Sequence, residues 1–227
     1  MVIKIWHRGA CWYAPENTLK SFKKVIDLWI KNTELDIHLS KDWKIVVIHD
    51  DSLERTTNWI WKITNFNYEH LKKLNVLENE KIPLLSEVLD LLWKNITINI
   101  ELKGKGTPKV LNELFNDYIK NKWWNKNNFM VSSFDFKLLS EFKKINNHNI
   151  RVSILLESLE NIKLDELLLN NYYSINLYYR IITKDIVKQI HGFWKKVFVY
   201  TVNNLDTINS LKKIWVDWIF SDYPDRI

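Results

Sequence analysis

Short β-branched runs alternate with amphipathic helical stretches along nearly the whole chain, and this alternation restricts the fold more than any other feature. Strands are expected at residues 2–6, 33–37, 96–101, 127–134, 150–155, 174–178, 197–202 and 218–220. Helices fall between them. The first opens at Pro15–Thr18 and carries Leu19, Phe22, Val25, Ile26 and Ile30 at helical spacing; the rest are expected near 85–92, 107–119, 136–145, 164–169, 184–190 and 206–214. Residues 51–80 read as a loop with one short helix near 68–74. Strands alternating with helices argue for a parallel sheet. Eight such units in 227 residues argue for one α/β domain over 1–227, a (β/α)8 TIM-type barrel with functional residues at the C-terminal strand ends. An open, doubly wound sheet is the alternative.

The richest chemistry lies between Glu34 and Asp50. Glu34 and Asp36 are two residues apart in an expected strand and so project from the same face. A turn at Lys41-Asp42 and an apolar run over 44–48 predict a β-hairpin after the second strand, delivering His49 beside them. His7-Arg8 and Glu101-Lys103 end two further strands. Glu34, Asp36 and Glu101 are hard oxygen donors suited to one divalent cation, Mg2+ or Ca2+, rather than to a soft metal. His7 and His49 suit proton transfer, because imidazole titrates near neutral pH. One activates the nucleophile, water or a substrate hydroxyl, and the other protonates the departing alkoxide. Arg8 and Lys103 suit phosphate oxygens, Arg through its fork and Lys as a point charge. Glu16 and Asn17 read as organisers of the first helix, Cys11 as an inert thiol, and His38, His70, His148 and His191 as structural residues.

Composition narrows the class further. The single cysteine rules out an internal disulfide and a cysteine-based zinc site, and points to a reducing compartment. The first residues lack the apolar core of a signal peptide, and no run approaches a membrane span of about 18 apolar residues. A cytoplasmic protein without stable membrane insertion is expected. The net charge of +6 suits an anionic small-molecule substrate, but the lysines are scattered and no nucleic-acid-binding signature is present.

These residues resemble one known family in order along the chain. The matching pieces are His7-Arg8-Gly9, Ala14-Pro15-Glu16-Asn17-Thr18, Glu34-Leu35-Asp36, Lys41-Asp42, Val47-Ile48-His49-Asp50, Ile82-Pro83-Leu84, Ile100-Glu101-Leu102-Lys103, Ser133-Phe134-Asp135, Thr201-Val202-Asn203 and Ser221-Asp222-Tyr223-Pro224. The set resembles the glycerophosphodiester phosphodiesterases. That resemblance implies a TIM-type barrel that hydrolyses glycerophosphodiesters to glycerol 3-phosphate and an alcohol with a divalent cation. Rival readings are a barrel phosphodiesterase acting on lysophospholipids or phosphoinositide-like head groups, and a non-catalytic phosphodiester-binding module.

One departure is systematic. The chain has 4 Gly and 12 Trp, whereas average usage of about 7% predicts roughly 16 Gly. Trp12, Trp29, Trp43, Trp59, Trp61, Trp194, Trp215 and Trp218 stand at turns, helix ends or family positions where glycine is expected, and Trp6 and Trp93 fit the same pattern. Trp123 and Trp124 have no such place. The expectation is that most of these positions are glycine in a bacterium that reads UGA as Gly. Trp43 and Trp59 should then lie on exposed turns with positive φ.

Overall fold

A computed structural model describes residues 2–94 and 96–226. Its strands are β1 (Ile3–Trp6), β2 (Asn32–Leu39), β3 (Ile45–Val47), β4 (Thr97–Leu102), β5 (Phe129–Ser133), β6 (Arg151–Leu156), β7 (Ser174–Tyr178), β8 (Lys196–Tyr200) and β9 (Trp218–Ser221). Its helices are α1 (Leu19–Asp27), α2 (Tyr68–Leu71), α3 (Leu85–Leu92), α4 (Thr107–Lys120), α5 (Phe136–Ile145), α6 (Leu164–Leu168), α7 (Lys184–Gly192) and α8 (Leu205–Lys213). Eight strands pair in parallel, and β1 pairs with both β9 and β2, so the sheet closes on itself. Closure makes it a TIM-type barrel and removes the open-sheet alternative. The ninth strand, β3, returns antiparallel on β2, with Ile37 opposite Val47, as the hairpin predicted.

Alternation along each strand divides the core in two. Leu35, Ile37, Ile98, Ile100 and Val131 face outward and join the helical residues Phe22, Leu89, Phe115 and Phe142 in the main apolar layer. Inside the barrel, Ile5, Met130, Phe198, Trp218 and Phe220 form a separate apolar floor. A buried polar layer also lines the interior: Asn99 donates to Ser132, and Ser174 donates to the Asn176 carbonyl oxygen while accepting from the Ser153 hydroxyl. These mutual hydrogen bonds offset part of the cost of burying the layer, although Asn99 Oδ1 and Asn176 Nδ2 have no partner among the described residues.

The β1–α1 connection is held tightly. The Thr18 hydroxyl accepts the Ser21 amide and caps α1. Gly9 has φ of 72°, and a Cβ there would lie 2.3 Å from the Ser21 hydroxyl, so only glycine fits. The 51–80 connection buries Leu53, Ile63, Leu71 and Leu74 against Val46 and Ile48 in a satellite core that supports the hairpin.

The tryptophans divide sharply. Trp29, Trp43, Trp61, Trp93, Trp123, Trp194 and Trp215 all have positive φ, seven of the twelve. Trp59 is exposed but is not among the positive-φ residues, contrary to expectation, so its backbone makes no demand for glycine. Trp123, which had no place in the sequence pattern, joins the group with φ of 61° just beyond α4. Left-handed backbone costs a residue with a Cβ about 1–2 kcal/mol.

Candidate active site

The parallel register sets the site. Asp36 lies opposite Glu101 across the β2–β4 pair, and Glu34 shares its inward face. Glu34 and Asp36 sit inside β2 rather than at its end, because β2 runs on to Leu39 to meet the hairpin. Ligand oxygens of Glu34, Asp36 and Glu101 all lie within 4.8 Å of one another, and all three side chains are buried. They adjoin a cavity of about 490 Å³ at the C-terminal mouth of the barrel, lined by His7, Arg8, Glu34, His49, Glu101 and Lys103 among others. The chain thus brings together every residue singled out in its sequence for chemistry. A larger cleft of about 970 Å³ lies at the opposite end, around Val2, Trp215 and Trp218. Its one acid, Asp217, is already paired with His191 and Lys196.

Three buried carboxylates so close together cannot all ionise unaided. Burial, with the negative charges of Asp36 and Glu101, holds Glu34 well above the ordinary carboxylate range. Burial and the Asp36 charge push Glu101 up to about 7. Asp36 is the one that stays ionised: burial opposes its charge, but Lys103, Arg8, His49 and a hydrogen bond from Asn17 bring it down to about 2. Lys103 and Arg8 therefore supply too little positive charge to ionise all three, since Glu34 and Glu101 stay raised beside them. A hard divalent cation fits that need, since it would let all three oxygen donors carry their charge.

The two phosphate candidates lean on these acids. Lys103 Nζ is 2.6 Å from Glu101 and 3.4 Å from Asp36. Arg8 donates its backbone amide to Glu34 at 2.8 Å, a geometry that its φ of 53° permits, while its guanidinium meets Glu16 at 3.0 Å and Asp36 at 3.6 Å. Both cations border the cavity.

Each site histidine is oriented by its own carboxylate. His7 Nδ1 is 2.7 Å from Asp222, which also accepts from Asn203 and from the Cys11 thiol. Burial disfavours the Asp222 charge, yet the His7, Cys11 and Asn203 bonds keep its carboxyl below the usual range. The Cys11 thiol is pushed up by burial and by Asp222, so it remains a protonated donor, as the inert reading expects. His49 Nδ1 is 2.6 Å from Asp50, and its Nε2 faces Lys103 Nζ at 3.1 Å. An ammonium only donates, so Nε2 accepts there and Nδ1 carries the proton. Burial, reinforced by Lys103 and Arg8 and opposed by Asp36, lowers the His49 pKa.

Sequence reasoning missed this supporting layer. Arg55 bridges Asp50 and both oxygens of Glu16, tying His49 to Arg8 through a chain of ion pairs. Asn17 has φ of 56°, is buried, and donates its amide to Asp36. Glu16 and Asn17 thus do more than open α1. The signal was there, since Asp50 and Asp222 lie inside the resembling motifs, but a carboxylate beside an imidazole acquires meaning only once the fold joins strand ends 215 residues apart, as for His7 and Asp222. His38 donates from Nε2 to the His49 carbonyl at 3.1 Å from a buried position, and His148 and His191 pair with Asn116 and Asp217, all outside the cavity lining.

A parallel barrel whose mouth combines clustered carboxylates, two carboxylate-oriented histidines and two cations belongs to the barrel hydrolases of phosphate esters. The pattern of the Glycerophosphoryl diester phosphodiesterase family matches residues 7–226. A glycerophosphodiester phosphodiesterase of Bacillus altitudinis is 31% identical over 97% of this chain and 94% of its own length. One from Caldanaerobacter subterraneus is 30% identical over 98% of this chain and 95% of its own length. Among solved structures, a phosphodiesterase of Oleispira antarctica, in complex with the product sn-glycerol-3-phosphate, superposes with a TM-score of 0.89 at 26% identity, covering 99% of this chain and 94% of that one. The Thermotoga maritima glycerophosphodiester phosphodiesterase gives 0.80 at 27% identity, covering 99% and 96%. The chain belongs to the glycerophosphodiester phosphodiesterase family and is an enzyme of that class, a phosphoric diester hydrolase. Among the described residues, no helix is long and apolar enough to cross a membrane.

Proposed function

We propose that this chain hydrolyses glycerophosphodiesters to glycerol 3-phosphate and an alcohol, with Glu34, Asp36 and Glu101 holding one divalent cation, Mg2+ or Ca2+. The observation that carries this reading is the carboxylate cluster lying between two separately oriented histidines at one cavity. When bound, the cation supplies Lewis-acid stabilisation of charge developing on the phosphate. Arg8 and Lys103 turn from the carboxylates to the non-bridging phosphate oxygens, Arg8 remaining aimed by Glu16. His7 and His49 divide the proton work at the nucleophile and the leaving oxygen, and Asp222 and Asp50 fix their rings and stabilise their charged forms. Phe134, Tyr178, Tyr179 and Tyr200 wall the remaining side of the cavity and give the carbon atoms of the diester an apolar face.

A product assay over glycerophosphocholine, glycerophosphoethanolamine and a lysophospholipid tests the reading. Release of glycerol 3-phosphate and free alcohol from the first two is expected; phosphocholine as the product, or no turnover with either cation, overturns it. Exposed Phe134 at the cavity wall and Phe136 just beyond it favour a second reading, action on a lysophospholipid, which the third substrate reports.

Asp222→Asn is expected to lower kcat by roughly 10–100-fold with KM nearly unchanged, because the partner of a working imidazole sets its tautomer rather than binding substrate. Steady-state kinetics on the variant check this. An unchanged kcat would leave Asp222 a purely structural contact.

A further inference from the structure

We propose that positions 29, 43, 61, 93, 123, 194 and 215 are glycine in the cell that makes this protein, their codons being UGA read there as Gly. Only a few per cent of non-glycine residues adopt positive φ, so among twelve tryptophans fewer than one is expected. Seven do. Four of the other positive-φ residues are asparagines, the side chain that best tolerates this region, whereas tryptophan is among the least suited to it.

The local hydrogen bonds specify glycine more narrowly than φ alone. After α7, the Trp194 amide bonds to the His191 carbonyl at 2.9 Å and the Lys195 amide to Ile190 at 3.4 Å. After α8, Trp215 bonds to Lys212 at 3.2 Å and Val216 to Leu211 at 3.4 Å. Both pairs form the Schellman helix stop, in which the residue after the cap is left-handed and is most often Gly. Trp29 makes the matching bond to Ile26 at 3.0 Å after α1. Trp43 ends the turn from Ser40, bonding to its carbonyl at 3.0 Å, and occupies the left-handed position of a three-residue hairpin loop. Trp93 follows α3 with φ 60° and ψ 170°, a combination essentially confined to glycine.

The side chains agree with the backbone. Trp29 is 91% exposed and Trp194 is 97% exposed, so their indoles contribute almost no packing. Trp124 supplies the contrast within one molecule. It is 5% exposed, stacks on Phe129 with centroids 5.1 Å apart, and has no positive φ. That is what a tryptophan selected as tryptophan looks like. Trp6, Trp12, Trp59 and Trp218 have no positive φ and are outside the proposal. A chemical route exists, because UGA differs from the glycine codon GGA in one base and is read as Trp in other codes.

Two experiments decide it. Codon sequencing and peptide mass spectrometry of the protein from its source cell should give UGA codons and glycine masses at the seven positions, with UGG and a tryptophan mass at position 124. Tryptophan masses at the seven positions overturn the proposal. Independently, two versions of the full chain are expressed in an ordinary host, one as written and one with glycine at all seven positions. The glycine version is expected to melt about 10 °C or more higher. An equal or lower melting temperature for the glycine version also overturns it.

Discussion

Glu34→Gln is expected to remove at least three powers of ten from kcat/KM for glycerophosphocholine. In the proposed reading several kcal/mol of charge stabilisation depend on a cation that this carboxylate would help to hold, and about 1.4 kcal/mol is a factor of ten in rate. The same substitution should leave the cation-free protein at least as stable at neutral pH. Burial and two neighbouring acids raise the Glu34 pKa in the folded chain. A folded carboxyl with a raised pKa keeps its proton above the pH of about 4.3 where an unfolded glutamate loses it. Its contribution to stability therefore falls as pH rises from that point towards the folded pKa. Glutamine has no such loss and can still accept the Arg8 amide. Lost activity with a retained or raised melting temperature separates a role in chemistry from a role in folding. Wild-type activity in this variant would remove Glu34 from the mechanism.

His49→Ala is expected to lower kcat by roughly 10²–10⁴-fold, the range for a lost proton-transfer group. Binding should suffer less, since Arg8 and Lys103 remain at the cavity. The loss is expected to exceed that of Asp222→Asn, because His49 is proposed to meet the reacting atoms and Asp222 to act only through His7. Single-turnover measurement of the chemical step checks this, and a chemical step at the wild-type rate would exclude His49 from proton transfer.

Much of the barrel is legible in the residue pattern. The α5 and β7 limits agree with the periodicity to the residue, because apolar spacing and the Asp135 cap state them locally. The 51–80 connection is less legible. It contains α2 and a short helical turn at Ile63–Asn65, whose Leu71 and Ile63 pack against the hairpin, and an exposed turn at Leu77–Asn79. At the site, Glu34, Asp36 and Glu101 declare themselves by residue type and strand parity. Asp50, Arg55, Asn17 and Asp222 do not, since their value depends on partners that only barrel closure brings near. The tryptophans show the converse case. Most of their turn positions are visible in the chain, but only the folded structure, through φ, burial and stacking, separates Trp123 from its neighbour Trp124.

The most direct test is the release of glycerol 3-phosphate from glycerophosphocholine by enzyme stripped of metal with a chelator, then assayed before and after return of Mg2+ or Ca2+. A cation held among Glu34, Asp36 and Glu101 requires the stripped enzyme to be inactive and activity to return with the ion. Undiminished release by the stripped protein would contradict it.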